Sequence, residues 1–499
     1  MTTYLMNTVI TKIKLLIVFC LLPGSLLLAQ QLLDLEQALN IAMQNSPDIR
    51  RSLLNLERSQ ESLNAQNAAL KSQFSLSLAP VDFSRTRSFD DFNSTWYTNE
   101  SWGSSGTFTV SQPILPTDGT ISLVNRFGWQ RSTNDYTNRE DKAFTNNLYV
   151  NLAQPLFTYN RLKQQLKELQ LDLENSNLSY AMQQLNLEKQ VTQFFYNVYM
   201  AQMSLNITQE EFKNTEKSYE ITKNKVEAGL AAKEELYQAE LNYASARSNV
   251  ENKKVSLENY KDQFKQYIGM DIFEEIAVMA DVEARQVDVD LTKAIDYGLG
   301  SRMEIRQREI NIENSQFDLI QTKSLNEFRG EMNLSIGIIG QDRELNNIYD
   351  NPTNNPRVSV AFNVPLWDWG EKKSRIKAQE AVIKTQELNL DEEKKQIVID
   401  IRQVYRSLQN LLNQIDIAKQ NEKNAQLTYE INLERYANGD LTSMDLNLFQ
   451  TQLSEKKMSY AQALIDYKVE LLNLKIQTLY DFESGVGIVP EELIKKSKK

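Results

Sequence analysis

Two long stretches without helix breakers dominate what this chain can become. Pro155-Leu156-Phe157 opens a segment that reaches Gly229 with no internal Gly or Pro. Pro365-Leu366-Trp367 opens another that ends at Gly439 and is free of both after Gly370. Proline and glycine lie 74 residues apart in each, so the two copies share one offset of 210. Apolar residues climb the first copy in steps of four and three: Leu187, Val191, Phe194, Val198, Ala201, Leu205, then Thr208, Phe212, Thr215, Tyr219, Thr222 and Val226. The counterparts are Ile397, Ile401, Val404, Leu408, Leu411, Ile415, Ala418, Glu422, Ala425, Tyr429, Asn432 and Tyr436. That spacing is the seam of a left-handed coiled coil. About 65 helical residues make a rod of ~100 Å, far beyond the ~8–20 residues usual for helices of globular domains.

Composition agrees with rods. In 499 residues there are only 16 Gly and 10 Pro, with 24% charged side chains. There is no His, and the one Cys is Cys20. Imidazole chemistry, thiol nucleophiles and Cys/His metal sites are thereby excluded, so neither enzyme activity nor a cofactor or metal is expected. A net charge of −11 argues against nucleic acid as a partner; lining a pore, the same excess would favour cations. Residues 1–29 read as a secretory signal: Lys12 and Lys14 precede an apolar run from Leu15 to Leu28, and Ala29-Gln30 is a plausible cleavage point. Cys20 sits mid-run behind the bulky Phe19, which argues against a lipid anchor. No apolar stretch after the leader is long enough for a spanning helix, so a membrane crossing requires a closed β-barrel.

Taken in order, each half repeats one plan. Leu35 to about Lys71 is expected as helix, broken near Asn45-Ser46-Pro47. Leu291 to Leu325 matches it at an offset of 256. Phe74, Leu76 and Leu78 alternate with Ser75, Ser77 and Ala79; Leu148, Val150 and Leu152 alternate with Tyr149, Asn151 and Ala153 before Pro155. In the second half the alternation falls at 331–339 and 357–364. These are strand periods. The first pair carries an insertion within 83–144, rich in Ser, Thr, Asn and Asp, in which Thr107–Ser111 and Thr120–Val124 flank a turn at Pro116-Thr117-Asp118-Gly119. It reads either as a barrel extension facing outward or as a variable polar loop. Long helices at 161–228 and 371–438 follow the strands, with return helices at 234–268 and 446–482, a linker at 270–290 and a basic tail at 485–499. The first repeat is thus 30–269 and the second 291–484.

Each half supplies two obvious strands, and four strands cannot close a barrel with a useful lumen. Edges cannot stay open in lipid. Three copies would give twelve strands, an even number that suits a wide aqueous barrel.

At this point the chain resembles the TolC family of outer-membrane efflux channels, from Leu33 to about Phe482. The twofold repeat, the strand-to-helix junctions at Pro155-Leu156-Phe157 and Pro365-Leu366-Trp367, and the tips Lys225–Gly229 and Arg435–Gly439 carry the likeness. Each tip glycine is followed six residues on by an acid and a Leu. The resemblance implies a homotrimer: a twelve-stranded β-barrel in outer-membrane lipid and an α-helical barrel reaching across the periplasm. It implies a passive exit duct for efflux or type I secretion, docked to a periplasmic membrane-fusion adaptor and energised by an inner-membrane pump of the RND, ABC or a similar class. Gly229, Leu230, Ala231, Gly439, Asp440 and Leu441 become adaptor-docking tips, Asp445 and Glu235 acids at the entrance, and Tyr436 part of a latch. For Asp445 capping of the return helix is an equally simple reading, and for Glu235 it is the simpler one. Leu441 stands where some members carry an Arg that ties the latch, and Leu448 where some carry a second acidic ring residue. The alternative is a periplasmic coiled-coil adaptor or structural rod, although such adaptors usually carry one long hairpin rather than two separated by strands.

Overall fold

A computed structural model describes residues 31–137, 139–280, 282–283 and 285–488. The expected leader and most of the basic tail lie outside these residues. A short strand β1 (Gln31–Leu33) leads into α1 (Leu35–Asn45) and α2 (Pro47–Ala69). Four long strands follow: β2 (Gln73–Asp90), β3 (Thr95–Ile114), β4 (Gly119–Asn134) and β5 (Arg139–Leu156). Then come α3 (Arg161–Glu227), α4 (Lys233–Ile268) and β6 (Ile276–Val278). The second half holds α5 (Leu291–Ser301), α6 (Met303–Lys323), β7 (Arg329–Asp342), β8 (Thr353–Asn354), β9 (Arg357–Asn363), α7 (Glu371–Asn438) and α8 (Ser443–Thr478), closing with β10 (Tyr480–Asp481) and β11 (Val486–Gly487).

The rods fill the two breaker-free stretches. Their seam is buried where the four-three spacing puts it: Leu187, Val191 and Val198 in α3, and Ile397, Ile401, Val404, Leu408 and Ile415 in α7. Each helix pair at the entry to a strand is split at one residue, Ser46 in the first half and Arg302 in the second. Pro47 occupies the first position of α2, where its missing N–H costs nothing. The largest core gathers where α1, α3, α4 and the parallel pair β1–β6 meet, around Phe195, Phe264 and Ile268. That pairing ties the amino-terminal strand to the linker, which is therefore not plain coil. The second return helix ends at Thr478, short of 482, where Leu479 turns left-handed with φ 53°.

The sheet corrects the strand count. Its order is β2-β3-β4-β5-β7, with β8 and β9 both against the outer side of β7, all antiparallel. The first half contributes four strands rather than two. The hairpin expected inside 83–144 is real, but it pairs with its neighbours along its whole length: β3 with β4 from Asn99↔Asn134 to Ile114↔Gly119, and β4 with β5 from Thr120↔Ala153 to Asn134↔Arg139.

Register assigns the two faces. Phe74, Leu76 and Leu78 stand beside Val110, Phe108 and Gly106. The same row continues through Leu123 and Val150 to Ile336, and from Leu334 to Val358. These side chains are largely exposed. Between them lie the opposite-face residues Thr109, Ser122, Asn147, Asn151, Asn333, Ser335 and Ser359, which line a concavity of about 600 Å³. The sheet therefore curls with its polar residues mostly inside, beside Val124 and Tyr149, and its apolar row outside. Large apolar side chains exposed in such a continuous row require a nonaqueous neighbour.

Candidate functional site: the helical tips

Both tips are built alike. At the end of α3, Gly229 adopts φ 74° and the Leu230 N–H donates to the Lys225 carbonyl at 2.8 Å. At the end of α7, Gly439 adopts φ 90° and the Asp440 N–H donates to the Arg435 carbonyl at 2.9 Å. This six-to-one bond over a left-handed residue is the Schellman ending, and glycine takes that backbone without strain. Leu230 is 79% exposed.

The return helices begin with the two sequence-predicted acids. Thr442 caps α8: its Oγ1 accepts the Asp445 N–H at 3.2 Å, and its hydroxyl donates to the Asp445 carboxylate at 2.7 Å. Asp445 is exposed in the first turn, where negative charge also complements the helix dipole. The capping role is thus filled, and the carboxylate still faces solvent. Glu235 is half-buried in the first turn of α4, which has no side-chain cap. Leu448 is exposed one turn beyond Asp445.

Tyr436 is nearly buried and joins the two hairpins of the chain. Its hydroxyl lies 2.6 Å from Thr222 Oγ1 and donates to the Ser218 carbonyl at 3.2 Å, both on α3. Lys225 Nζ donates to the Tyr436 carbonyl at 2.9 Å and sits 4.9 Å from the centre of its ring. Around it pack Tyr429, Leu446 and Leu453, with Leu441 partly buried against them. Leu441 thus adds apolar cover to the junction, while the cation comes from Lys225 on the opposite rod.

The same face of α3 carries more polar contacts upward. Asn214 donates to Gln450 Oε1 at 3.0 Å, Ser454 donates to Glu211 at 3.2 Å, and Lys457 pairs with Glu210 at 3.0 Å. Positions 210, 211, 214, 218, 222 and 225 form one stripe over about 23 Å of helix. Burial holds the Glu211 carboxyl above its usual range, with the Ser454 hydrogen bond pulling the other way. Burial also raises the Tyr429 phenol, aided by Glu210. Higher up the joint turns apolar, around Phe195 and Ile465. The lower joint between the hairpins is therefore made largely of hydrogen bonds that water can replace, with Ile221 as an apolar contact, and the upper joint of apolar burial that it cannot. Thr222 lay on the predicted seam; Ser218 and Lys225 have no signal in the sequence, because their partner is more than 200 residues away.

At the other end of the rods sit the strand-to-helix junctions. Pro155 pairs opposite Glu331 near the end of β5. Phe157 takes φ 62° and its ring meets Phe328 at 5.2 Å, which in turn stacks on Phe362 at 5.5 Å. Past Pro365, Trp367 and Trp369 meet edge-on at 5.6 Å and are both largely exposed. The β3–β4 turn is fastened to the same level. Asp118, nearly buried with φ 59°, pairs with Arg161 at 2.9 Å and accepts the Leu162 N–H, while Asn160 donates to the Leu115 carbonyl.

The sequence profile described as outer membrane efflux protein matches residues 120–270 and 330–476, more than half of the chain. Among solved structures, the chain is similar to the CmeC outer membrane channel of Campylobacter jejuni (15% identity, 93% of this chain and 89% of that one, TM-score 0.68). It is also similar to the VceC outer membrane protein of Vibrio cholerae (14%, 91% and 97%, 0.64) and to the open state of the MtrE outer membrane channel of Neisseria gonorrhoeae (13%, 91% and 89%, 0.64). No curated protein matches the sequence significantly. At these identities the structural likeness speaks to fold alone, and the fold agrees with the profile: the chain belongs to the outer membrane efflux protein family.

Proposed function

We propose that the protein is the passive exit duct of a tripartite efflux or type I secretion system, without catalytic activity of its own. Three copies surround one axis in the outer membrane, their rods extending into the periplasm. The observation that carries this reading is the curled sheet, apolar outside and polar inside, running through both junctions into rods joined at their tips. A free-standing rod would leave the outer apolar row facing water, at about 25 cal/mol per Å².

In this reading the tips form a periplasmic entrance that is closed at rest. Tyr436, Thr222, Ser218 and Lys225 hold the second hairpin against the first. The ladder up to Glu210 is the part that releases, because each bond lost to water costs only about 0.5–1.5 kcal/mol. Asp445 and Glu235, repeated around the axis, place negative charge at the entrance. Leu230, Ala231, Asp440 and the glycines Gly229 and Gly439 meet a periplasmic membrane-fusion adaptor, and an inner-membrane pump supplies the energy. Leu441 is the exception among the predicted tip residues, since its packing against the Tyr436 cluster gives it a closing role. Phe157, Phe328, Phe362, Trp367 and Trp369 sit where the barrel leaves the lipid, the level favoured by aromatic side chains.

The test is reconstitution. Detergent-extracted protein should run as a trimer and give small, cation-preferring conductances in planar bilayers. A soluble monomer without conductance would favour a structural rod instead.

A further inference from the structure

We infer that each copy contributes six full strands to the barrel wall, so that a trimer closes on 18 strands, and that the wall is sealed by β2 of one copy pairing with β9 of the next. This inference rests on the trimeric duct proposed above, and it departs from the twelve strands expected from the repeat.

The hairpin β3–β4 meets both demands made of a membrane wall. It spans the full height: at its lower end the Leu115–Asp118 turn is held against the start of α3 by Asp118 and Asn160, and its upper residues pair as far as Asn134. It also keeps the two faces, with Phe108, Val110, Ile121 and Leu123 outside and Thr107, Thr109 and Ser122 inside. From Ile121 to Trp129 the outer row covers ~27 Å of strand, comparable to the ~25 Å apolar band of such barrels. β8 and β9 lie end to end against β7 and act as one broken strand. The wall per copy is therefore β2, β3, β4, β5, β7 and β8/β9.

The free edges fit each other. β2 rises from α2 and β9 descends to α7, so placing them side by side continues the antiparallel alternation around the ring. Both reach the level of the rods, β2 at its start and β9 at its end. β9 has seven residues, Arg357–Asn363. β2 offers the matching run Gln73–Ala79 before the register breaks between Ala79 and Asp82. Pro80, which has no N–H to give, falls in that break, on an edge where proline ends pairing. Set in phase, Phe74, Leu76 and Leu78 meet Phe362, Val360 and Val358 on the lipid side, while Ser77 and Ser359 meet on the lumen side. A slip of one residue would turn serines toward lipid, so the face pattern fixes the parity of this register. Barrel diameter grows roughly linearly with strand number, so the lumen is about 1.5-fold wider than a twelve-stranded one.

Cysteine pairing and direct imaging test this together. In a Cys20→Ser background, Ser77→Cys combined with Ser359→Cys should form disulfides between copies and give a trimer ladder under denaturing conditions. Ser77→Cys with Ser335→Cys should not, because β9 lies between. Cryo-electron microscopy of the unmodified protein in lipid nanodiscs should show 18 strands. A trimer with twelve strands, β3–β4 lying outside the wall, would overturn the inference and leave the duct standing. Any count other than six strands per copy, or no link between β2 and β9, would also overturn it. A particle without a barrel would sink both readings.

Discussion

Replacing Tyr436 with Phe removes one hydroxyl and almost no volume, which isolates the hydrogen bonds at the foot of the ladder. That hydroxyl contacts Thr222 Oγ1 at 2.6 Å and the Ser218 carbonyl at 3.2 Å. Thr222 also donates to the Ser218 carbonyl at 2.8 Å, so neither partner is orphaned by the substitution. The phenol has one proton to give, so the loss is one hydrogen bond shared between two acceptors, about 1–1.5 kcal/mol per copy. In a trimer that opens as a unit this sums to ~3–4.5 kcal/mol, and each ~1.4 kcal/mol is a factor of ten. Tyr436→Phe should therefore raise the open-to-closed ratio about 10²–10³-fold if the copies open together, and about 5–10-fold if they open singly. Open probability from single-channel recordings at fixed voltage reads this directly. Tyr405→Phe, whose hydroxyl only accepts from Gln409 on the same helix, serves as the control. Tyr436→Phe recordings that overlay the wild type would refute the latch.

Four further outcomes follow from the geometry. Lys225→Met should also favour opening, by about 1 kcal/mol per copy after allowing for solvent around the ammonium, with no change in trimer content on denaturing gels. Asp445→Asn should reduce cation preference, measured as the reversal potential across a salt gradient, and anion preference in the wild type would count against acids at the entrance. Glu211 has its folded pKa raised above the ordinary 4.5 by burial, so its neutral form favours the α3–α8 joint. That contribution is full below the ordinary value and is lost as pH climbs through the raised one; thermal melts should fall across this window in wild type and lack that component in Glu211→Gln. Asp118→Ala should destabilise the trimer by about 2 kcal/mol, because it removes a buried carboxylate that pairs with Arg161 and accepts the Leu162 N–H, while Arg161, itself exposed, is free to rehydrate.

The sequence carried the rods and their seam because a four-three period needs no tertiary information. It misplaced Phe194 slightly: Phe195, not Phe194, is fully buried, since α3 packs on α1 as well as α4 and so hides more than one stripe. The strand pairs next to the rods were legible from apolar alternation, whereas β3 and β4 were legible only in their lower halves. Above them Ser104, Gly106 and Asn125 break the outer row, and the signal of a membrane strand is weak even when intact. The pairing of β1 with β6 joins three residues to three across the whole first repeat and leaves no periodicity to read. Tyr436 came from family likeness, and its partners only from the folded register that brings α3 beside α7.

The central claim is that this sheet walls an aqueous lumen. Neighbouring positions on β5 test it, since Asn147 lies on the concave face and Leu148 on the convex one. In a Cys20→Ser background, single cysteines at each site would be treated with a bulky, membrane-impermeant thiol reagent during bilayer recording. A drop in conductance for Asn147→Cys and none for Leu148→Cys is the result expected here. Equal modification at both sites, or a block only at Leu148→Cys, would contradict it.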